Sequence, residues 1–257
     1  LAPNVIRDCI LRLEFTRVLF RSLAMGRSII RPWNIRWTPF WSNLQTAGVM
    51  ALPIIGLLNF LIGLVITYQG GTLLQMFGMN IFAVHLVTIS TLRVLGPLLT
   101  AIIIAGRTGS AYAAQIGTMV VNEEVDALRT FGIDPVDQLV IPKVFALIIA
   151  LPFLTLFADI MAIFGGMVYA NIYLDITFAE FIEQIRKVVT LNSLFVSLIQ
   201  APVFAIIIVL VGCYQGFQVK GGADSVGTQT TTAVVQAIFL VIIFEAIFSI
   251  ATRSIPL

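Results

Sequence analysis

Charged side chains are scarce in this sequence. Asp, Glu, Lys and Arg make up 11% of its 257 residues, where an ordinary soluble domain carries about 25%. So little charge cannot cover a water-facing surface. With 59% hydrophobic residues and a mean hydropathy of +1.01, a soluble fold is excluded. The net charge of +2 is too small to imply a nucleic-acid partner. Histidine occurs once, at His85, and cysteine twice, at Cys9 and Cys213, so no zinc or haem centre is expected. The phosphate-loop pattern Gly-x4-Gly-Lys-[Ser/Thr] occurs nowhere, and the glycine-rich run Lys220–Gly227 reads as a cytoplasmic turn rather than a nucleotide cradle. Ser90 lies five residues from His85, off the same helical turn, which leaves no ready nucleophile and base; no catalytic residue is assigned. The first strongly apolar run begins near Ala47, so no cleavable signal peptide is expected.

What the chain does have is five long apolar runs between Ser42 and Ala251. They are continuous and too long for the alternating ten-residue strands of a membrane barrel. Spanning segments must satisfy their own backbone hydrogen bonds, so the expected class is an all-α polytopic membrane protein. The spans are expected at about 47–69, 81–106, 144–170, 193–217 and 233–251. Ahead of them, residues 23–46 carry Arg27, Arg31 and Arg36 with Trp33, Trp37 and Trp41, which predicts an amino-terminal interfacial helix; a basic tail is the plainer alternative. Residues 1–22 are set apart as a suspect leader. Arg12-Leu-Glu-Phe-Thr-Arg-Val-Leu-Phe-Arg-Ser22 resembles a translated sequencing adapter, and the native sequence is expected to resume near Leu23 with an upstream part missing.

Three charges, Arg93, Asp159 and Glu245, fall near the middle of three of these runs. An ionisable group at mid-bilayer costs roughly 2.5–3.5 kcal/mol, so each is paired, hydrated or used. A structural ion pair and a polar patch on a substrate path are both open readings. Arg93 is the sharper candidate, because a guanidinium can fork onto a phosphate. Between the second and third spans the stretch Arg107–Lys143 is the most polar in the chain. Asn122 reads as an N-cap, Glu123 and Glu124 as the first turn, Val121, Val125 and Leu128 as one face, and Gly132 as the stop of a short amphipathic helix. Thr177–Val188 reads as a second short surface helix. Lys and Arg counts favour a cytoplasmic amino terminus and a periplasmic carboxyl terminus.

The runs Leu95-Gly-Pro-Leu-Leu-Thr-Ala-Ile-Ile-Ile-Ala-Gly-Arg-Thr-Gly-Ser-Ala-Tyr-Ala-Ala-Gln-Ile-Gly-Thr-Met119 and Asn122-Glu-Glu-Val-Asp-Ala-Leu-Arg-Thr-Phe-Gly-Ile-Asp-Pro135 resemble the MlaE/YrbE-type permeases. Val211-Gly-Cys-Tyr-Gln-Gly216 and Thr230-Thr-Thr-Ala-Val-Val235 extend the resemblance, which covers about residues 40–251 of an expected permease domain at 47–257. It implies the non-enzymatic membrane subunit of an ABC-type system that moves phospholipid between bacterial inner and outer membranes. It also implies a homodimer in the inner membrane, a periplasmic MCE-domain protein, and a cytoplasmic ATPase that holds ATP and Mg while this chain carries no cofactor. A STAS-domain protein is a further possible partner. The coupling helix would be Glu123, Glu124, Asp126 and Arg129, and the lipid cavity would be lined by Ile66, Leu73, Leu74, Phe77 and Arg93. The family commonly has Arg-Glu before Leu-Gly-Pro, whereas this chain has Arg93-Val94. Without that glutamate, Arg93 is expected to pair with Asp159 or Glu245. Two rival readings are an ion-coupled secondary transporter using Asp159 or Glu245, and a structural scaffold for an MCE partner.

Overall fold

The computed structural model describes residues 43–189 and 191–252. The suspect leader, the tryptophan and arginine positions of the interfacial segment, and Arg253 lie outside the described residues. Within them the chain is helical with no strand. Five helical stretches are long and apolar enough to cross a membrane: Asn43–Met76, Phe82–Val121, Val136–Tyr173, Leu194–Phe217 and Ala223–Ala251. The principal helices are α1 (Leu52–Met76), α2 (the span Phe82–Val121), α3 (Glu124–Thr130), α4 (Ile141–Tyr173), α5 (Phe178–Val188), α6 (Leu191–Phe217) and α7 (Ala223–Ala251).

Several span boundaries differ from the sequence expectation, the third span among them, which starts at Val136 rather than near 144. The first span continues through Gly70 and Gly71 to Met76, where a loop was expected. Those glycines admit neighbours: a β-carbon on Gly70 would lie 2.2 Å from Leu86 and one on Gly71 2.7 Å from Leu174. The second span continues past Gly106 to Val121, and the fifth starts at Ala223 rather than Ala233. The polar residues at that start satisfy themselves within the helix. Thr228 donates to Asp224 O at 3.1 Å, Thr231 to Gly227 O at 2.7 Å and Thr232 to Thr228 O at 2.8 Å. A threonine that bonds back to the preceding turn does not end a helix.

Without water to expel, spans associate through close packing and buried polar contacts. α1 runs along α4, and their backbones touch where both lack side chains. A β-carbon on Gly63 would sit 1.8 Å from Ala162 O, and one on Gly165 2.0 Å from Phe60 O. α6 packs on α4, α2 and α7, and α7 also lies against the second half of α2. α5 is the expected surface helix. Thr177 and Glu180 form a reciprocal capping box at its start, with Thr177 N donating to Glu180 Oε2 at 3.0 Å. Its Phe181 is fully buried among Ala83, Val84, Tyr169, Ala170, Leu174 and Ile176, which pins α5 over the ends of α2 and α4.

Candidate functional site

The polar interior begins with Pro97. Proline has no N–H, so within an α-helix the carbonyl of Arg93 would lose its donor four residues on. The chain responds with a π turn over Thr91–Leu95, in which Gly96 N–H bonds Thr91 O. The released Arg93 carbonyl accepts from Gln200 Nε2 of α6 at 3.2 Å. Sequence and tertiary contact thus agree: the proline creates an orphan acceptor and a neighbouring span supplies the donor.

Arg93 itself lies in this turn. Its Nη2 donates to Thr252 O at 2.5 Å, with a longer contact to Thr252 Oγ1 at 3.5 Å. Thr252 closes α7, so the guanidinium meets the negative end of a helix dipole. The expected pairing of Arg93 with Asp159 or Glu245 is therefore corrected: no ion pair among the described residues joins them. Glu245 lies seven residues before Thr252, which is about 10 Å along a helix, too far for the guanidinium at Thr252 to reach.

Asp159 is buried in α4, where its Oδ2 accepts from Ser197 Oγ at 3.4 Å and its Oδ1 has no hydrogen-bond partner. It sits directly over Gly96, where an added β-carbon would lie 1.7 Å from Oδ1. Glu245 is buried in α7, and its Oε2 has no partner. Thr91, Thr100 and Gln200 Oε1 are also buried without partners. His85 packs on Phe82 and contacts Gln184 at 3.4 Å, which ties α2 to α5.

The residues expected to line a lipid cavity divide. Ile66, Leu73 and Phe77 fall on one side of α1, where Leu73 and Phe77 are well exposed. Leu74 turns inward and packs against the cluster that holds Phe181.

At the opposite end of the bundle, α3 carries its charge outward. Glu124, Asp126 and Arg129 are exposed, and Arg129 Nη1 donates to Asp126 Oδ1 at 3.0 Å. Asn122 is not the N-cap of this helix. It closes α2, and Glu123 takes the N-cap position with a left-handed φ of 60°. The preceding span outlasts its expected end, so the reversal falls one residue later. Gly132, with φ +74°, ends the segment as expected. Arg107 and Lys143 prove to belong to spans. Arg107 donates to Thr46 O at 2.9 Å, and Lys143 is buried with its ammonium 5.3 Å from the Tyr112 ring. Sequence reading passed over Phe131, which is 79% exposed beside α3, and Ile133. Two apolar residues between charges and Pro135 were the available signal.

Five apolar spans around a polar interior, with an exposed acidic helix between the second and third, define a multi-pass membrane protein of the permease class. The model of the family Permease MlaE matches residues 40–251, and the chain belongs to that family. It is 36% identical over 222 residues to a probable ABC transporter permease protein of Rickettsia bellii, covering 86% of this chain and 85% of that one. A probable ABC transporter permease protein of Synechocystis is 38% identical over 182 residues, 71% and 69% of the two chains. The chloroplastic protein Trigalactosyldiacylglycerol 1 of Arabidopsis thaliana is 31% identical over 240 residues, 91% and 69% of the two.

Proposed function

We propose that this chain is the membrane subunit of an ABC-type phospholipid transporter. It acts as a homodimer in the bacterial inner membrane, amino terminus inside and carboxyl terminus in the periplasm. A cytoplasmic ATPase grips α3, and a periplasmic MCE-domain protein, with a STAS-domain protein in some systems, completes the path between inner and outer membranes. The exposed acidic α3 on a chain of an ABC permease family is the observation that carries this reading. A chain with no phosphate loop of its own needs an external motor and a handle for it.

The apolar side of α1 at Ile66, Leu73 and Phe77 is suited to acyl chains, each buried CH₂ contributing about 0.8 kcal/mol. Arg93 is suited to the phosphate, through guanidinium N–H groups not committed to Thr252. The name of the Arabidopsis relative carries a diacylglycerol lipid, which supports a lipid substrate. Nucleotide-driven closure of the ATPase pair would move α3 and squeeze the chamber.

The test is lipid transfer by the complex in proteoliposomes. Transfer that requires ATP and ignores a pH gradient supports the proposal. Transfer that follows the gradient without ATP favours the ion-coupled reading through Asp159 or Glu245, and a dimer that carries no lipid favours the scaffold.

A further inference from the structure

Asp159 is a buried carboxyl that lipid binding and ATPase coupling leave unused. It is 2% exposed, near the middle of α4. Its charge meets no countercharge. Arg93 is drawn to Thr252, and Lys143 lies 16 residues earlier on α4, roughly 24 Å along the helix. No ion pair among the described residues includes Asp159. What the side chain does have is a neighbour on each of two other spans. Oδ1 rests against Gly96 of α2, so closely that a β-carbon there would lie 1.7 Å away. Oδ2 accepts from Ser197 Oγ of α6 at 3.4 Å.

Those two contacts flank the bond that supports the π turn. Gly96 closes the turn by giving its N–H to Thr91 O, and Arg93 lies inside it. On α6, Ser197 and Gln200 are three residues apart and therefore neighbours on one face. From that face Gln200 Nε2 donates to Arg93 O at 3.2 Å. Asp159 thus sets how far α6 stands from α2, and how it is turned, at the level where the Gln200 amide must reach. If that spacing opens, the carbonyl released by Pro97 loses its donor. A buried carbonyl without a partner is costly, so the turn that carries the guanidinium would shift to find one. The contact with Gly96 needs shape, and the contact with Ser197 needs one acceptor. Neither needs charge. We propose that Asp159 is a positioning residue for Arg93, clamping α2 to α6 through Gly96 and Ser197 so that the guanidinium stays in place for a lipid phosphate. The role rests on Arg93 as the phosphate ligand, and it takes Asp159 out of ion coupling.

In proteoliposomes holding the whole complex, ATP-driven lipid transfer is measured for Asp159→Ala and Ser197→Ala, each in the parent and in the Arg93→Ala background. In the parent each is expected to slow transfer about five-fold, the effect of one net hydrogen bond. Without the guanidinium there is nothing to position, so in the Arg93→Ala background the loss should stay within about two-fold, the scatter of independent sites. Asp159→Asn keeps the shape and an acceptor for Ser197, and should recover most of the transfer. Ser197→Ala removes only the donor, so it carries the comparison should Asp159→Ala fail to assemble. Equal losses in both backgrounds would reveal a merely structural clamp and overturn the proposal. So would an Asp159→Asn variant as slow as Asp159→Ala, the result that a charge carrier gives. Parental transfer by Arg93→Ala alone would instead remove Arg93 from the lipid path, and the positioning role with it.

Discussion

The guanidinium of Arg93 donates to the carbonyl oxygen of Thr252 at 2.5 Å, joining the π turn of α2 to the last turn of α7. A backbone carbonyl at a helix end carries only partial negative charge. It can hold a guanidinium at rest and still lose it to a phosphate, with which a bidentate pair is stronger. Both contacts to Thr252 use Nη2, so the rest of the fork is not spent on them. Arg93→Ala should therefore reduce lipid transfer by about ten-fold or more, the worth of a charge-assisted hydrogen bond of about 1.5–3 kcal/mol. Arg93→Lys should recover only part, because an ammonium lacks the planar fork. Size-exclusion chromatography should show the assembly intact. Full transfer by Arg93→Ala would exclude the residue from the lipid path.

Gln200 and Pro97 should behave as a coupled pair. Gln200→Leu removes the donor to Arg93 O, but also a buried Oε1 that has no partner. The two effects partly offset. The expected loss is about 1 kcal/mol, the low end for an abandoned carbonyl and close to what polar contacts between spans are worth. Pro97→Ala restores an N–H for that carbonyl, so in its background Gln200→Leu should cost less. A double-mutant cycle on thermal unfolding measures this. Strict additivity would mean that the π turn does not depend on the glutamine.

The crossing of α1 and α4 gives a steric prediction. The atoms facing Gly63 are backbone, Ala162 O and C, which cannot rotate away. Gly63→Ala should separate the two spans and destabilise the chain by about 1–3 kcal/mol, the usual cost of overpacking. Gly106→Ala, with nothing within 4 Å of the added carbon, serves as the control. Equal melting temperatures for the two variants would contradict the close approach.

The five spans were legible because length and hydropathy have a local cause, and the short helix α5 falls within the expected surface helix at Thr177–Val188, whose capping box only the structure shows. The ends of the spans were less so. Gly70-Gly71 and the Thr228–Thr232 run look like loop chemistry until the neighbours are known, and only packing shows that glycine serves Leu86 and Leu174 here. The charge pairing was not legible. Arg93, Asp159 and Glu245 share a depth when counted along ideal helices, but Pro97 inserts a π turn and the Arg93 side chain runs to the end of α7 instead. Leu74 was grouped with Leu73 and Phe77 by position in the chain, whereas one residue of helix is a 100° rotation.

Glu180 offers a pH prediction at the bundle surface. Hydrogen bonds from the Thr177 hydroxyl and backbone N–H hold its carboxyl below the ordinary value of 4.5. The folded value is the lower one, so the contact stabilises α5 fully above 4.5 and is lost as pH falls through the depressed value. Carboxyl carbon NMR should show Glu180 titrating below 4.5, and Thr177→Val should move the midpoint upward. A midpoint unmoved by that substitution would mean that the capping box does not persist in solution.

Phe131 bears on the motor. It is 79% exposed, beside the acidic α3, and Gly132 holds the chain in a left-handed turn just after it. An exposed phenylalanine contributes little to the fold, so Phe131→Ala should leave the stability of the isolated chain within about 0.5 kcal/mol of the parent. If a partner ATPase seats this ring in a pocket, with basic residues around the acidic helix, the same change should cost an aromatic anchor. Such anchors are worth about 2 kcal/mol or more, close to a thirty-fold loss in affinity. Charge reversal at Glu124 and Asp126 should act differently: peripheral charges steer encounter, so association should slow and its salt dependence should flatten. Titration of the chain in nanodiscs with the purified ATPase separates the two effects as dissociation and association rates. Unchanged affinity for Phe131→Ala would move the grip away from this turn, even if the acidic residues still steer the approach.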